Sequence, residues 1–396
     1  MFENKTVVLG VTGSIAAYKA ADLASALVKK GCDVNVIMTK NATNFINPIT
    51  FEELTGNKCI TDTFDRNFQH SVEHISLAVK ADVFIIAPAS ANVIGKIANG
   101  IADDMLTTTI MAAKCPKIIA PAMNNNMFEN PVVQDNLCKL EGYGYTIIQP
   151  DSGRLACGTI GKGKLPQVGT LIDYLEVALC KNKDFKGKRV LVTAGPTQEK
   201  IDPVRFISNH SSGKMGYAIA KNAMLRGAQV TLISGRVNIE KVPFVNTVGV
   251  ISAKEMFDAV TKVSQENDII IMSAAVADYR PATVSDEKIK KSDDSLKIDL
   301  ERTQDILKYL GENKRENQFI CGFSMETENM LENSEKKLKS KNADMLVCNN
   351  LKDKGAGFKT DTNKVTIIDN DSVASLELMS KSKVAEEILN IIIKKI

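Results

Sequence analysis

Two short stretches hold most of the residues in the first half of the chain that could do chemistry. "DSGRLACGTIGKGK", Asp151–Lys164, sets a lone thiol, Cys157, among Gly153, Gly158, Gly161 and Gly163. A structural thiol belongs among branched apolar residues on a strand or helix. This one sits where glycine lets the backbone swing, and a thiol so placed can hand over a proton or attack as a thiolate. "HSVEH", His70–His74, has the H-x-x-E-H spacing of a metalloprotease. Imidazoles one helical turn apart can share a zinc. The next residues run almost at once into "ADVFIIAP", and no acidic helix follows to supply a third ligand. A single functional imidazole or a surface pair suits the stretch better than zinc.

Other polar residues stand just past apolar runs. "APASANVIG" places Ser90 and Asn92 there, and "PAMNNNMF" places Met123 and Asn124. Open α/β sheets bind ligands at the C-terminal ends of their strands. Asn124 can offer a donor and an acceptor to a carboxylate or amide, or it can cap a helix start. "GVTGSIAAYK" joins an apolar run to a helix through Gly10 and Gly13, which suits a phosphate at a helix start or a tight turn alone. It is not G-x-G-x-x-G, so the dinucleotide fingerprint is absent and a plain NAD(P) dehydrogenase is excluded.

In the second half, "TAGPTQEKIDPVRFISNHSSGKMG" reads as a strand end, a long polar loop and a Gly-rich helix start. Gly213 and Lys214 suggest a P-loop, but Ser208 stands where that motif needs glycine and Met215 where it needs Ser or Thr. "KIKK", which begins at Lys288, lies within "YRPATVSDEKIKKSDDS". That segment has almost nothing to bury, so the expectation is a mobile loop carrying a solvated charge run.

The elements that must position these groups repeat twice. "KTVVLG", "DVNVIMT", "DVFIIAP", "PKIIAP" and "YTIIQP" are short apolar runs that read as buried strands. Between the first two, Ala17, Ala20, Ala24, Leu27 and Val28 recur at helical spacing, and Gly31 is placed to end the helix. Strands alternating with helices imply a parallel sheet covered on both faces. Charge and glycine in "KNKDFKGK", about 181–188, mark a linker, giving domains at 1–182 and 187–396. The plan then restarts with "KRVLVTAGPT", a helix in "GKMGYAIAKNAMLRGA", and strands "QVTLISG", "DIIIMSAAVAD", "FICGFS", "DMLVCNN" and "KVTIIDN". "SKVAEEILNIIIKKI" closes the chain as an amphipathic helix.

At 396 residues two domains are the default. With 44% hydrophobic and 24% charged residues and a formal charge of +3, the chain has no broad basic field, which argues against nucleic acid as partner. No apolar run reaches the ~18–20 residues needed to cross a bilayer, and "MFENKTVVLGVTGS" lacks the segments of a secretory signal. Eight cysteines with no C-x-x-C pair suit a reduced, cytoplasmic chain.

"GVTGSIAAYKA", the histidine of "VEHISLA", "PAMN" and "ACGTIG", in this order, resemble the flavin-dependent cysteine decarboxylase family. With the second half included, essentially the whole chain resembles the bifunctional phosphopantothenoylcysteine decarboxylase/phosphopantothenate–cysteine ligase family of bacterial coenzyme A synthesis. The resemblance implies two Rossmann-like three-layer α/β domains. One is an N-terminal flavodoxin-like parallel sheet binding FMN, the other a C-terminal doubly wound mixed sheet binding CTP. It implies that Gly13, Ser14, Thr39, Ser90 and Asn92 hold FMN, that Asn124 and Met123 meet the substrate carboxylate, and that His74 is the catalytic imidazole. Cys157 corresponds to a proton donor on a lid that closes over the substrate. Loss of CO2 from a cysteine carboxylate leaves electrons with nowhere to go. The flavin of such enzymes first oxidises the thiol, and the enethiol left after CO2 departs is then protonated and reduced.

For the second half the resemblance implies that 4'-phosphopantothenate attacks the α-phosphate of CTP, and that cysteine displaces CMP from the acyl-cytidylate. Lysines and Mg2+ would steady the phosphoryl charge, with metal ligands unknown. Asn209 corresponds to a residue that turns over the intermediate and Arg205 to its neighbour. Asp278, Lys288, Asp305, Ile306, Phe323, Lys337 and Lys341 match nucleotide positions. Two departures stand out: the lid ends in Lys164-Leu165-Pro166-Gln167 rather than Arg-Met-x-Glu, and Thr303-Gln304 replaces the family's Asn-Pro before Asp305. A lysine lacks the bidentate fork of arginine, and loss of the proline frees the backbone. The resemblance also implies homo-oligomers, with trimeric decarboxylase and dimeric ligase units that could build a dodecamer. A rival of another class is a non-catalytic flavoprotein subunit that regulates a phosphatase. Such a subunit needs neither the lid cysteine nor a complete second half.

Overall fold

The computed structural model describes residues 1–64, 73–154, 158, 160–290, 296–326, 330–350 and 360–396. The chain divides into two compact units, Met1–Lys181 and Asn182–Ile396.

The first unit is built on a five-stranded parallel sheet of β1 (Thr6–Val11), β2 (Asp33–Met38), β3 (Val83–Ala89), β4 (Lys117–Pro121) and β5 (Thr146–Ile147), in the order β2-β1-β3-β4-β5. Because side chains alternate along a strand, each strand feeds two cores. Val7, Leu9, Val36, Ile85 and Ile118 pack against α1 (Tyr18–Lys29), α2 (Pro48–Thr55) and α8 (Val168–Leu179). Val8, Ile37, Phe84, Ile86 and Ile119 pack against α3 (Glu73–Lys80), α4 (Ala91–Ala98), α5 (Met105–Ala112) and α7 (Pro131–Gly142). Burial on both faces is why the strands read as unbroken apolar runs. Gly31 ends α1 with φ +84°, and Pro48 and Pro131 open α2 and α7 behind asparagine caps. Strand order reverses direction about β1, so β1 and β3 splay at their C-terminal ends, where such sheets leave a crevice.

A one-turn helix, α6 (Asn125–Phe128), follows β4, and a hairpin of β6 (Asp151–Arg154) and β7 (Ile160–Lys164) follows β5. The hairpin was not legible as strand, since its sequence has almost no apolar residues to alternate. The glycine-rich run is therefore ordered at both of its described ends.

The second unit carries an eight-stranded mixed sheet. Its strands are β8 (Arg189–Ala194), β11 (Gln229–Ser234), β12 (Asn246–Gly249), β13 (Ile269–Met272), β16 (Phe319–Glu326), β17 (Met345–Asn350), β19 (Val365–Asp369) and β20 (Val373–Ser375). The order is β12-β11-β8-β13-β16-β17-β19-β20, parallel as far as β17 and antiparallel beyond. Leu191, Ile270, Ile320 and Leu346 face α10 (Ala253–Ser264), α11 (Ile306–Glu312) and α12 (Met330–Ser340). On the other side, α9 (Lys214–Leu225) packs on β8 and β11 and against α13 (Lys381–Ile393). Three small ladders complete the unit: β9 (Gln198–Lys200) with β10 (Phe206–Ser208), β14 (Tyr279–Pro281) with β15 (Leu300–Arg302), and β18 (Thr362–Asn363) with β21 (Met379–Ser380).

The segment expected to be a mobile loop is tethered where it is described. Its base is the β14–β15 ladder, braced by an Arg280–Glu301 ion pair at 2.6 Å. Further along, Ser285 N donates to Ile201 O at 3.0 Å and Ile289 N to the Asp202 carboxylate at 3.2 Å. Backbone bonding to a neighbouring hairpin substitutes for the apolar residues that the segment lacks.

Candidate functional site

In the first unit the predicted residues gather where β1, β2, β3 and β4 end. Thr12, buried, clamps two of these ends: its Oγ1 donates to Pro88 O at 2.8 Å and accepts from Ser90 N at 2.9 Å. Ser14 Oγ accepts from Ala16 N at 3.3 Å and donates to Ala122 O at 3.3 Å, which ties the turn after β1 to the turn after β4. Gly13 has no room for a side chain, because a Cβ there would lie 2.7 Å from Asn41 Cβ. Asn92 is exposed in the first turn of α4, and Ser90 N-caps that helix without a side-chain bond. Asn124 Oδ1 accepts from Asn126 N at 2.9 Å, so the capping role and the site role fall on one residue. His74 is half-buried in the first turn of α3. His70 and Cys157 lie outside the described residues, so the shared-zinc arrangement and the lid thiol stay at the level of sequence. Among the described residues no group of three or more His, Cys, Asp or Glu could hold a metal.

The site can be tested for a cofactor through Thr39. Its Oγ1 is buried and has no hydrogen-bond partner among the described residues. A buried hydroxyl left in that state costs about 1–3 kcal/mol, and a ligand oxygen at the end of β2 would remove the penalty. With a backbone close to Gly13 and open amides at the start of the following helix, the residues present fit a flavin phosphate and its tail. Thr39→Val is expected to weaken flavin retention roughly three- to tenfold, the worth of one hydrogen bond. Absorbance of the protein after repeated desalting measures it.

The hairpin stands over the same strand ends. Met123 N donates to Gly163 O at 3.0 Å, and Gly163 has φ +149°, with a Cβ there falling 2.2 Å from Met123 O. Only glycine permits this approach. The lid ending departs from the expected family pattern in sequence, yet Leu165 is buried and its carbonyl accepts from Lys19 Nζ at 3.0 Å. Burial first, and then the charge of Lys164, holds the Lys19 ammonium below the usual lysine range.

In the second unit, Asn209, Asp278, Asp305, Phe323, Lys337 and Lys341 line one cavity of about 870 Å3 at the C-terminal ends of β8, β13, β16 and β17. Asn209 Nδ2 donates to Ala275 O at 3.1 Å and Val276 O at 3.3 Å, which fixes it on the turn after β13. Asp305 caps α11 and forms an ion pair with Lys341, while Lys337 Nζ donates to Ser324 Oγ at 3.2 Å. The Lys341 charge and these hydrogen bonds outweigh burial and keep the Asp305 carboxyl below its usual range. The predicted freedom at Thr303 is not observed. Its Oγ1 donates to Ala277 O at 2.6 Å and its N–H to Asp278 O at 3.0 Å, so bonds replace the fixed φ of a proline.

Three predicted residues do not line the cavity. Ile306 is buried in the core beneath α11. Arg205 and Lys288 belong to a second cluster centred on Asp202, whose side chain is 0% exposed. Asp202 accepts from Val204 N and Arg205 N at 2.8 Å, from Arg205 Nε at 2.9 Å and from Ile289 N. Arg205 Nη2 donates in turn to Ile289 O at 2.9 Å. Arg205 above all holds the Asp202 carboxyl far below the usual range. The lysine segment is thus pinned one residue beyond Lys288, whose own side chain is exposed.

Sequence reasoning missed Lys381, Arg302, Asn349 and Asn363, all of which line the cavity. None sits in a motif; each reaches the site through the β16–β17–β19 region or the start of the last helix.

Comparison with known proteins bears on both units. Residues 1–179 match the family model "Flavoprotein", and residues 185–396 match "DNA/pantothenate metabolism flavoprotein C-terminal domain". A coenzyme A biosynthesis bifunctional protein CoaBC from Bacillus subtilis is 48% identical over 98% of this chain and 97% of its own length. Its counterpart in Borreliella burgdorferi is 42% identical over 99% of this chain and 100% of its own length. A solved C-terminal domain of a CoaBC protein aligns at 46% identity and TM-score 0.47, covering 54% of this chain and 98% of that one. Similarity of this degree along nearly the whole length means that the chain belongs to the family of bifunctional coenzyme A biosynthesis proteins CoaBC.

Proposed function

We propose that the chain carries out two consecutive steps of coenzyme A biosynthesis, one in each unit. The second unit is a phosphopantothenate–cysteine ligase that consumes CTP. The first is a flavoprotein decarboxylase that converts phosphopantothenoylcysteine to 4'-phosphopantetheine, with FMN as its flavin. The observation that best supports this reading is the single cavity in which residues from Asn209 to Lys341, far apart in sequence, meet a clamp of lysines and an asparagine held by two carbonyls.

A carboxylate oxygen is a poor leaving group, so the acid is first joined to the α-phosphate of CTP, with release of pyrophosphate. The amine of cysteine then attacks the acyl carbon, and CMP leaves with the carboxylate oxygen. Lys337 and Lys341 offset phosphoryl charge in the cavity, assisted by Mg2+ carried on the triphosphate. Phe323, half-buried on β16, offers an apolar wall to the base. Asn209, fixed on the 275–276 turn, orients the acyl group with the polar face that its carbonyl bonds leave over.

In the first unit Gly13, Ser14, Thr39, Ser90 and Asn92 would hold FMN. The cofactor, when bound, takes electrons from the substrate thiol and returns them after CO2 has left. Asn124 and Met123 orient the departing carboxylate, His74 stands beside the reacting end, and Cys157 Sγ delivers a proton to the product carbon. The finer assignments include a cytoplasmic setting and homo-oligomers, with trimers through the first unit and dimers through the second.

The test is direct. The purified protein should be yellow and should release pyrophosphate from CTP only with both 4'-phosphopantothenate and cysteine present, followed by CO2. A colourless protein that bound a phosphatase and left CTP intact would replace this reading with that of a regulatory subunit.

A further inference from the structure

The cavity of the second unit has two cationic walls, and only one of them was foreseen. Lys337 and Lys341 stand with Asp305 on the side of α11 and α12. Lys214 and Lys381 stand on the side of α9 and α13, and each is the first residue of its helix. Lys381 is only 7% exposed, yet it lines the cavity. Its Nζ donates to Thr360 O at 2.6 Å and its backbone N–H to Asp361 O at 2.9 Å. The Asp361 carboxylate pairs with Lys214 Nζ at 2.6 Å, although its own side chain is 89% exposed. Two ammonium groups therefore share one solvent-facing carboxylate.

We propose that Lys214 and Lys381 form the seat for the terminal phosphate of the acid substrate, an assignment that rests on the ligase reading. Several observations carry it. A buried ammonium is costly unless paired with an opposite charge, and a backbone carbonyl supplies no charge. A cation at a helix N-terminus opposes the helix dipole, so both lysines occupy the disfavoured end of their helices. A dianion between them would relieve both conflicts and would also draw on the open amides of the helix starts. Burial, and then the charge of Lys214, holds Lys381 below the usual lysine range, with Asp361 offsetting this only in part.

Two sources could provide the dianion, the acid substrate and the polyphosphate of CTP. The reaction brings together the α-phosphate of one substrate and the carboxylate of the other, and the remaining phosphates must be kept apart. Separate cationic walls on opposite sides of one cavity meet that need. The wall of Lys337 and Lys341 serves the nucleotide, which leaves the wall of Lys214 and Lys381 for the acid.

Lys381→Met keeps the length and apolar bulk of the side chain while removing the charge. Steady-state ligation by the full chain should show KM for 4'-phosphopantothenate raised at least tenfold and KM for CTP unchanged within twofold. Preference for 4'-phosphopantothenate over unphosphorylated pantothenate in kcat/KM should collapse by a similar factor, and Lys381→Arg should restore most of it. Lys214→Met, altered at a more exposed side chain, reads the same ratio and decides the matter if Lys381→Met fails to fold. A raised KM for CTP with the acid preference intact would give the wall to the nucleotide instead. Unmoved constants with a lowered unfolding temperature would leave Lys381 as a cap for Thr360. Either result overturns the assignment while wild-type turnover keeps the ligase reading; absence of pyrophosphate release by wild type overturns both.

Discussion

Lys288→Gln is expected to lower ligation by about 10²- to 10³-fold, the usual loss when one charge aimed at a reacting phosphoryl group is removed. Decarboxylation of supplied phosphopantothenoylcysteine should stay within twofold of wild type. The size of the first effect follows from how the lysine is held. Its neighbour Ile289 is gripped at both backbone atoms, with N–H on Asp202 and C=O on Arg205. Asp202 itself is fully buried and ionised, so the grip does not depend on solvent exchange. The backbone is thereby pre-placed while the exposed side chain of Lys288 is left to reach a triphosphate. Glutamine at this position keeps the backbone grip and loses only the charge, so the drop should appear in kcat, with unfolding temperature unchanged. The second effect follows from the division into two compact units, one for each chemistry. Pyrophosphate release and CO2 release, measured separately on the same preparation, check both. A parallel fall of the two activities would mean that the chemistries are not housed apart.

Much of the scaffold was legible because burial on both faces leaves a plain trace. Val7 to Val11, Val83 to Ala87 and Ile269 to Met272 are apolar without interruption, since each residue meets one core or the other. The trace vanishes wherever backbone bonds to other elements, rather than apolar contact, hold the chain. Asp151–Arg154 and Ile160–Lys164 pair as strands with scarcely an apolar residue between them, and Tyr279–Pro281 finds Leu300–Arg302 across a charged segment. The same distinction separates the site residues. Those attached to strand ends, such as Thr39, Asn124 and Asn209, could be placed from motif and position. Ile306 fell within a matched motif, but helical periodicity turns its side chain into the core. Lys381 carried no signal at all, because a lysine at the start of an amphipathic helix reads as a solvated residue until the fold buries it.

The second large effect concerns the residue with which the sequence is most suggestive. Cys157→Ser is expected to leave CO2 release running while the final protonation slows by about 10²- to 10⁴-fold, the range for loss of a positioned acid. A product lighter than 4'-phosphopantetheine by two hydrogens should then accumulate. A serine hydroxyl matches the size of a thiol but is a far weaker acid, so it can occupy the place without delivering the proton. Cys157 lies outside the described residues, yet the two strands that flank it in sequence are held firmly. Gly163 presses on Met123 with no space for a Cβ, and a Cβ at Gly161 would lie 2.9 Å from Asn125 Cβ. Both contacts anchor the hairpin to the turn that carries Asn124, the residue proposed to orient the departing carboxylate. A group delivered from this hairpin acts where CO2 has just left, which is the carbon that needs the proton. Mass analysis of the released thiol, alongside captured CO2, separates the two steps. If the serine variant produced 4'-phosphopantetheine at the wild-type rate, another acid would have to be sought. If it lost CO2 release to the same degree, the thiol would act before the carbon–carbon bond breaks, not after.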